Sequence, residues 1–151
     1  MDILRRNTDY ALRLMVGLTQ QADAGTVSTR LLAQGQEVPY QLACKLMQHL
    51  QDAGVVQSTM GPKGGFQLGR RPDQISLLEV IEAVQGPLRL NRCLLREAGC
   101  PRQNVCPIRA KIGTLQDQMG EYLGGVTLAD LVENPGAGRP ARTRETAGGE
   151  A

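Results

Sequence analysis

The sequence predicts a mostly α (α+β) fold, on three observations. Three segments carry apolar residues at i, i+3, i+4 and i+7, the spacing of one helix face. Two short extended runs flank a glycine-rich turn, the signature of a hairpin. A long C-terminal segment repeats apolar residues every 3.5 positions. In chain order these elements read as a winged helix-turn-helix domain followed by a long C-terminal dimerisation helix.

The first helix is expected to open with Asn7 or Thr8 as its cap and to run to about Gln21, with Ala11, Leu14, Met15 and Leu18 on one face. Residues 22–27 break it. Ser28 caps a short helix through Leu31, Leu32 and Ala33, which Gly35 ends. Pro39 suits a first helical position, where the missing N–H has no intrahelical partner to lose. The helix it begins carries the stripe Ala43, Leu46, Met47 and Leu50 and stops at Gly54.

The period then changes. Val55–Met60 and Phe66–Leu68 are extended around Gly61-Pro62-Lys63-Gly64-Gly65, a wing over about 55–68. Short helix, tight turn, second helix and hairpin is the order of a winged helix, although order alone fits other small α+β domains. Ser76 and Glu79 form a capping box for a helix bearing Leu77, Val80, Ile81 and Val84, which Gly86-Pro87 terminates. On the winged-helix reading, residues 1–86 are expected to form a DNA-binding domain.

Residues 87–106 show no clean period and form a cysteine-rich loop. Pro107 starts the long helix, whose Ile108, Ile112, Leu115, Met119 and Tyr122 make a narrow seam suited to a partner helix. Packing against the chain's own domain is the alternative. Thr127 and Asp130 cap a last short helix ending at Asn134-Pro135, so that residues 107–134 hold the dimerisation helix and this short one. The tail 135–151 has no apolar residue larger than Ala and is expected to be disordered.

The 151 residues are 41% hydrophobic and 21% charged, ordinary for a globular domain, and the absence of Trp leaves an aliphatic core. No stretch approaches the roughly 20 apolar residues of a membrane span. Charges at Asp2, Arg5, Arg6, Asp9 and Arg13 leave no room for the apolar centre of a secretory signal. A cytoplasmic protein without membrane contact is expected, and its cysteines then point to metal or redox chemistry rather than disulfides. The net charge of +2 is too weak to speak for or against nucleic acid. A single histidine, no Ser/His/Asp set and no phosphate-binding loop argue against an enzyme and a small-molecule substrate.

Cys93, Cys100 and Cys106 are spaced C-x6-C-x5-C, without the close C-x2–4-C pair of structural zinc sites. Three thiolates at loop spacing suit an iron–sulfur cluster (4Fe-4S or 2Fe-2S), whose irons present ligand positions farther apart than one zinc does. Six cations between Arg89 and Lys111 against Glu97 alone would stabilise a thiolate cluster. Free or redox-active thiols in a basic loop are the competing account. A three-cysteine site needs completion, by Glu97, Asn104, His49, an external thiol or a second subunit. Cys44 reads as a small semi-buried hydrophobe and His49 as a surface residue.

The candidate DNA face lies opposite the third helix's apolar stripe, where Tyr40, Gln41, Lys45 and Gln48 project beside Cys44. Gln pairs with adenine, and Lys45 reaches guanine or phosphate. Ser28, Thr29 and Arg30 suit phosphate contacts, and Lys63 and Gly64 bring the wing close to the minor groove. A solvated helix face is the alternative for these polar residues.

The segments RRNTDYALRLMVGL (5–18), GVVQSTMGPKGGFQLGR (54–70), ISLLEVIEAVQGPL (75–88) and GVTLADLVEN (125–134), with the three cysteines, resemble the IscR/NsrR family of bacterial winged-helix regulators. The resemblance spans residues 1–134. It implies a homodimer joined through the long helix, binding to a double-stranded DNA operator, and an iron–sulfur cluster on Cys93, Cys100 and Cys106. IscR-like members complete the cluster with a histidine three residues after the last cysteine, where this chain has Arg109. NsrR-like members use an aspartate within T-D-x-A-L-R, and Thr8-Asp9-Tyr10-Ala11-Leu12-Arg13 matches that pattern. The resemblance thus implies Asp9 as a ligand supplied across the dimer. Where family members carry a base-reading glutamate, this chain has Cys44.

Together these features predict a transcriptional regulator, in the repressor sense, whose operator affinity follows a cluster sensing nitric oxide, redox or iron status. A cluster-free thiol-sensing regulator and a thiol or iron–sulfur carrier without DNA function are the alternatives.

Overall fold

The computed structural model describes residues 3–94 and 100–133. Arg96 and Glu97, the Asn134-Pro135 terminus of the last helix and the tail 135–151 lie outside the described residues. Six helices and one hairpin follow in order: α1 (Arg6–Gln20), α2 (Thr29–Gly35), α3 (Tyr40–Asp52), β1 (Val56–Thr59), β2 (Gly65–Leu68), α4 (Leu77–Gln85), α5 (Pro107–Gly125) and α6 (Leu128–Glu133), with short 3-10 turns between some of them.

The apolar stripes read from the sequence are buried. Ala11, Leu14, Met15 and Leu18 of α1 meet Ala43, Leu46, Met47 and Leu50 of α3 in one aliphatic core, joined by Leu32, Val55, Val56, Ile75 and Val80. Leu128 of α6 is buried in that same core. The hairpin pairs antiparallel with Val56 opposite Leu68 and Thr59 opposite Gly65. Phe66 packs on the core from β2, while Met60, at the wing's outer end, is 93% exposed.

Capping follows the sequence at most helix ends. Ser28 Oγ accepts from the Leu31 amide. Ser76 and Glu79 form the full capping box, and Thr127 with Asp130 caps α6 reciprocally. Gly86 ends α4 with φ +79°, and Gly54 follows α3 with φ +74°, conformations glycine takes without steric cost.

Two ends differ from expectation. Pro39 is the N-cap of α3 rather than its first residue, because its extended ψ lies outside the helix. The first helix begins before Thr8, with Arg5 as N-cap and no side-chain cap. Thr8 instead sits fully buried inside α1 and donates to Gln85 Oε1 at 2.6 Å. The same oxygen accepts from the Arg5 amide at 3.1 Å, and Gln85 Nε2 donates to the Ile3 carbonyl at 3.0 Å. One glutamine at the end of α4 therefore holds the start of α1.

Two isolated antiparallel bridges complete the frame, Val27 with Phe66 and Ser76 with Thr127. The first ties the segment before α2 to β2 by a single antiparallel bridge. The second carries the chain from α5 back to the start of α4, with Leu77 N–H donating to the Val126 carbonyl at 2.8 Å and Leu128 N–H to that of Ile75 at 3.0 Å.

Gln85→Ala removes both faces of the clamp and leaves the buried Thr8 hydroxyl without its acceptor, a loss of about 1–3 kcal/mol. Urea denaturation should show a lower midpoint for this variant with an unchanged slope. A wild-type midpoint would mean that the start of α1 is held by other contacts.

Candidate nucleic-acid interface and cysteine loop

The candidate DNA face is built on α2, α3 and the wing. Tyr40, Gln41, Cys44, Lys45 and Gln48 are all exposed on α3, on the side away from its buried stripe. The Arg30 guanidinium of α2 lies over the Tyr40 ring at 4.9 Å, so a cation–π contact spans the two helices of the motif. A hydrogen bond with Cys44 raises the Tyr40 pKa above the usual phenol value, against the opposing pull of Arg30. The phenol stays a neutral donor at physiological pH. Gln48 Nε2 donates to Asp52 at 3.0 Å, which orients that amide along the helix. Thr29 is half-buried beside the capping Ser28, and Lys63 is exposed at the wing's turn.

Two expectations need correction. Cys44 is exposed, not semi-buried, because its position falls outside the Ala43/Leu46/Met47/Leu50 stripe. His49 is half-buried on the flank of α3 rather than on the surface.

The wing glycines carry a constraint that composition did not reveal. A Cβ on Gly65 would run into the Val27 carbonyl, where Phe66 N–H and Val27 N–H exchange hydrogen bonds of 2.8 Å across the bridge. A Cβ on Gly64 would collide with the Thr59 carbonyl. Glycine at both positions is thus required by the wing's own packing.

Cys93, Cys100 and Cys106 are free thiols, each half-buried. Cys93 lies in the 3-10 turn Arg92–Leu94, and the Cys100 carbonyl accepts from Gln103 at 3.1 Å in a tight turn. Cys106 is the N-cap of α5, its Sγ accepting from the Arg109 amide at 3.5 Å. A helix N-terminus favours negative charge, as a thiolate or thiolate-bound group carries. Among the described residues no three His, Cys, Asp or Glu side chains converge as a metal site. Asp9 is exposed on α1 and pairs with Arg13 at 3.3 Å. Asn104 and Cys106 share an open cleft of about 530 Å³ with Arg109, whose Nη1 is buried without a hydrogen-bond partner among the described residues.

Among the described residues the seam of α5 is largely uncovered. Ile108, Leu115 and Tyr122 are 68%, 52% and 45% exposed, Ile112 and Met119 are half-buried, and no residue of α5 is buried. No helix among the described residues is long and apolar enough to cross a membrane.

Comparison with known proteins agrees with this architecture. A family model described as "Rrf2: Iron-dependent Transcriptional regulator" matches residues 4–134. The HTH-type transcriptional regulator IscR of Escherichia coli O1:K1 is 30% identical over 125 residues, covering 83% of this chain and 76% of the relative. Among solved structures, CymR, the global cysteine regulator of B. subtilis, superposes with a TM-score of 0.73 at 26% identity over 88% of this chain and 98% of its own. T. potens IscR superposes at 0.70 and 24% identity, over 86% of this chain and 85% of its own.

Replacing Lys45 by Ala should weaken operator binding by roughly 1–2 kcal/mol through a lost base or phosphate contact. Fluorescence anisotropy at fixed salt measures it. Unchanged affinity in Lys45→Ala and in Gln41→Ala, with folding intact, would place the recognition face elsewhere.

Proposed function

The chain belongs to the Rrf2 family of DNA-binding transcriptional regulators, and on that premise we propose a cytoplasmic homodimeric repressor switched by an iron–sulfur cluster. Cys93, Cys100 and Cys106 are its thiolate ligands. Asp9 supplies the remaining, oxygen ligand from the opposite subunit. The reading is supported by three free, half-buried thiols, Cys93, Cys100 and Cys106, on the stretch of chain that leads into α5, the last of them capping that helix. The donor set and its surrounding positive charge suit an anionic thiolate cluster. When bound, such a cluster supplies iron reactive toward nitric oxide or oxidants.

The chain's own residues explain how the loop is tied to DNA. Cys106 is at once a thiol donor and the cap of α5. At its far end α5 leads through the Ser76–Thr127 bridge into Leu128, which sits in the core behind α1 and α3. A change at the loop is thereby linked to the shared core, and through it to the recognition helix, by way of α5 and α6. Ser28, Thr29, Arg30 and Lys63 hold phosphates, while Tyr40, Gln41, Lys45 and Gln48 face the major groove.

A second reading has a specific observation behind it. The likeness to CymR, named a global cysteine regulator, favours a cluster-free thiol sensor on the same scaffold. Family membership leaves no place for a carrier without DNA function.

Anaerobically purified protein should be brown. Each of Cys93→Ala, Cys100→Ala and Cys106→Ala should abolish the visible absorbance, Cys44→Ala should keep it, and Asp9→Ala should keep the fold with a more labile cluster. Colourless wild-type protein with its thiols intact would favour the thiol sensor, and an Asp9→Ala cluster with wild-type spectrum and decay would remove Asp9 from the site.

The uncovered seam of α5 serves the dimer. Ile112→Asp puts one charge per subunit into it, which is costly when buried unpaired. Sedimentation should find a monomer that has lost tight DNA binding, whereas a dimer at micromolar concentration would place the interface elsewhere.

A further inference from the structure

We propose that the Tyr40 ring and the Cys44 sulfur form a base-reading patch for the C5 methyl of an operator thymine, with Arg30 as the residue that positions the ring; this rests on the reading of α3 as the recognition helix. Tyr40 is the first residue of α3 and Cys44 lies one turn further on, so the two are neighbours on one face. Both are exposed, Tyr40 by 46%, and neither belongs to the buried stripe. The Arg30 guanidinium lies over the Tyr40 ring at 4.9 Å. A hydrogen bond joins the Tyr40 hydroxyl to the Cys44 thiol. The ring is therefore held on its face by α2 and at its hydroxyl by the next turn of α3.

The exposed residues of α3 are Tyr40, Gln41, Cys44, Lys45, Gln48 and Asp52. Four of them present amide or charged groups, which leaves the Tyr40 ring and the Cys44 sulfur as the apolar surface of this face. Base pairs present hydrogen-bonding groups throughout the major groove and one apolar group, the thymine methyl. The N-terminal residues of a recognition helix are the ones that reach base edges. An apolar patch at that end finds its match in thymine. A guanidinium that stacks on a ring keeps N–H donors for a phosphate, so Arg30 serves both contacts. Fixing the ring before binding also lowers the ordering cost of association.

The test uses the full-length protein and a duplex that it selects from a random-sequence library, with deoxyuridine replacing one thymine per half-site at a time. Uracil differs from thymine only by the missing methyl, so fluorescence anisotropy at fixed salt reads the contribution of that group. One position should lose about fourfold in affinity per half-site, the worth of one buried methyl-sized group. Cys44→Ser and Tyr40→Ala should bring the thymine-to-uracil affinity ratio at that position close to one, whereas Cys44→Val and Tyr40→Phe should keep it. Arg30→Gln should lower the ratio, and Arg30→Lys should restore it.

A selected duplex with no thymine sensitive to uracil would overturn the patch, and so would a ratio unmoved in Cys44→Ser and Tyr40→Ala. Either result leaves the recognition helix standing as long as Lys45→Ala still weakens binding. A wild-type ratio in Arg30→Gln would overturn its positioning role. Wild-type affinity in Gln41→Ala, Lys45→Ala and Tyr40→Ala alike would instead overturn the recognition-helix reading itself, and the patch with it.

Discussion

The candidate DNA face depends on one close backbone approach. Val27 and Phe66 exchange two hydrogen bonds of 2.8 Å, and only the missing side chain of Gly65 lets the strands meet. The bridge fixes the wing to the residue before Ser28, the cap of α2. Arg30 of α2 in turn stacks on Tyr40 at the start of α3. Wing, positioning helix and recognition helix are therefore set by one chain of contacts, each locked to the next. The aliphatic core beneath supplies the stability, since packed side chains in it leave α3 no alternative orientation.

The cysteine loop is held at both ends by that same frame. Before it, α4 ends in Gln85, which grips the first residues of α1. After it, α5 returns through a second backbone bridge, and Leu128 of α6 enters the aliphatic core against α1. A regulator needs a ligand site whose state biases a packed element rather than a free appendage. This topology provides one: the loop interrupts a path that begins and ends in the winged domain. The exposed seam of α5 lies on the same excursion, so the proposed dimer contact and the proposed cluster share a single helix.

Much of this was legible in the sequence because helix faces and caps are local properties. The stripe of α3 is buried residue for residue, and the Ser76–Glu79 box forms as written. What was not legible depends on residues far apart in the chain. Thr8 looked like a cap because threonine favours that place, yet its partner Gln85 lies 77 positions away. Gly64 and Gly65 marked a turn, but their collisions with Thr59 and Val27 appear only once the hairpin is folded. Arg109 stood out as the residue where a histidine ligand could have been. That its Nη1 is buried without a partner among the described residues emerges only from the folded chain.

The central claim is that iron in the cysteine loop, and not the thiols alone, sets operator affinity. The direct measurement is an operator titration on one anaerobic sample before and after iron is removed by a chelator, with the thiols kept reduced throughout. The account predicts that affinity falls on removal, by the roughly 5–150-fold typical of coupled sites, and returns when the cluster is rebuilt. Affinity indifferent to iron, but altered when the iron-free thiols are oxidised, would contradict it.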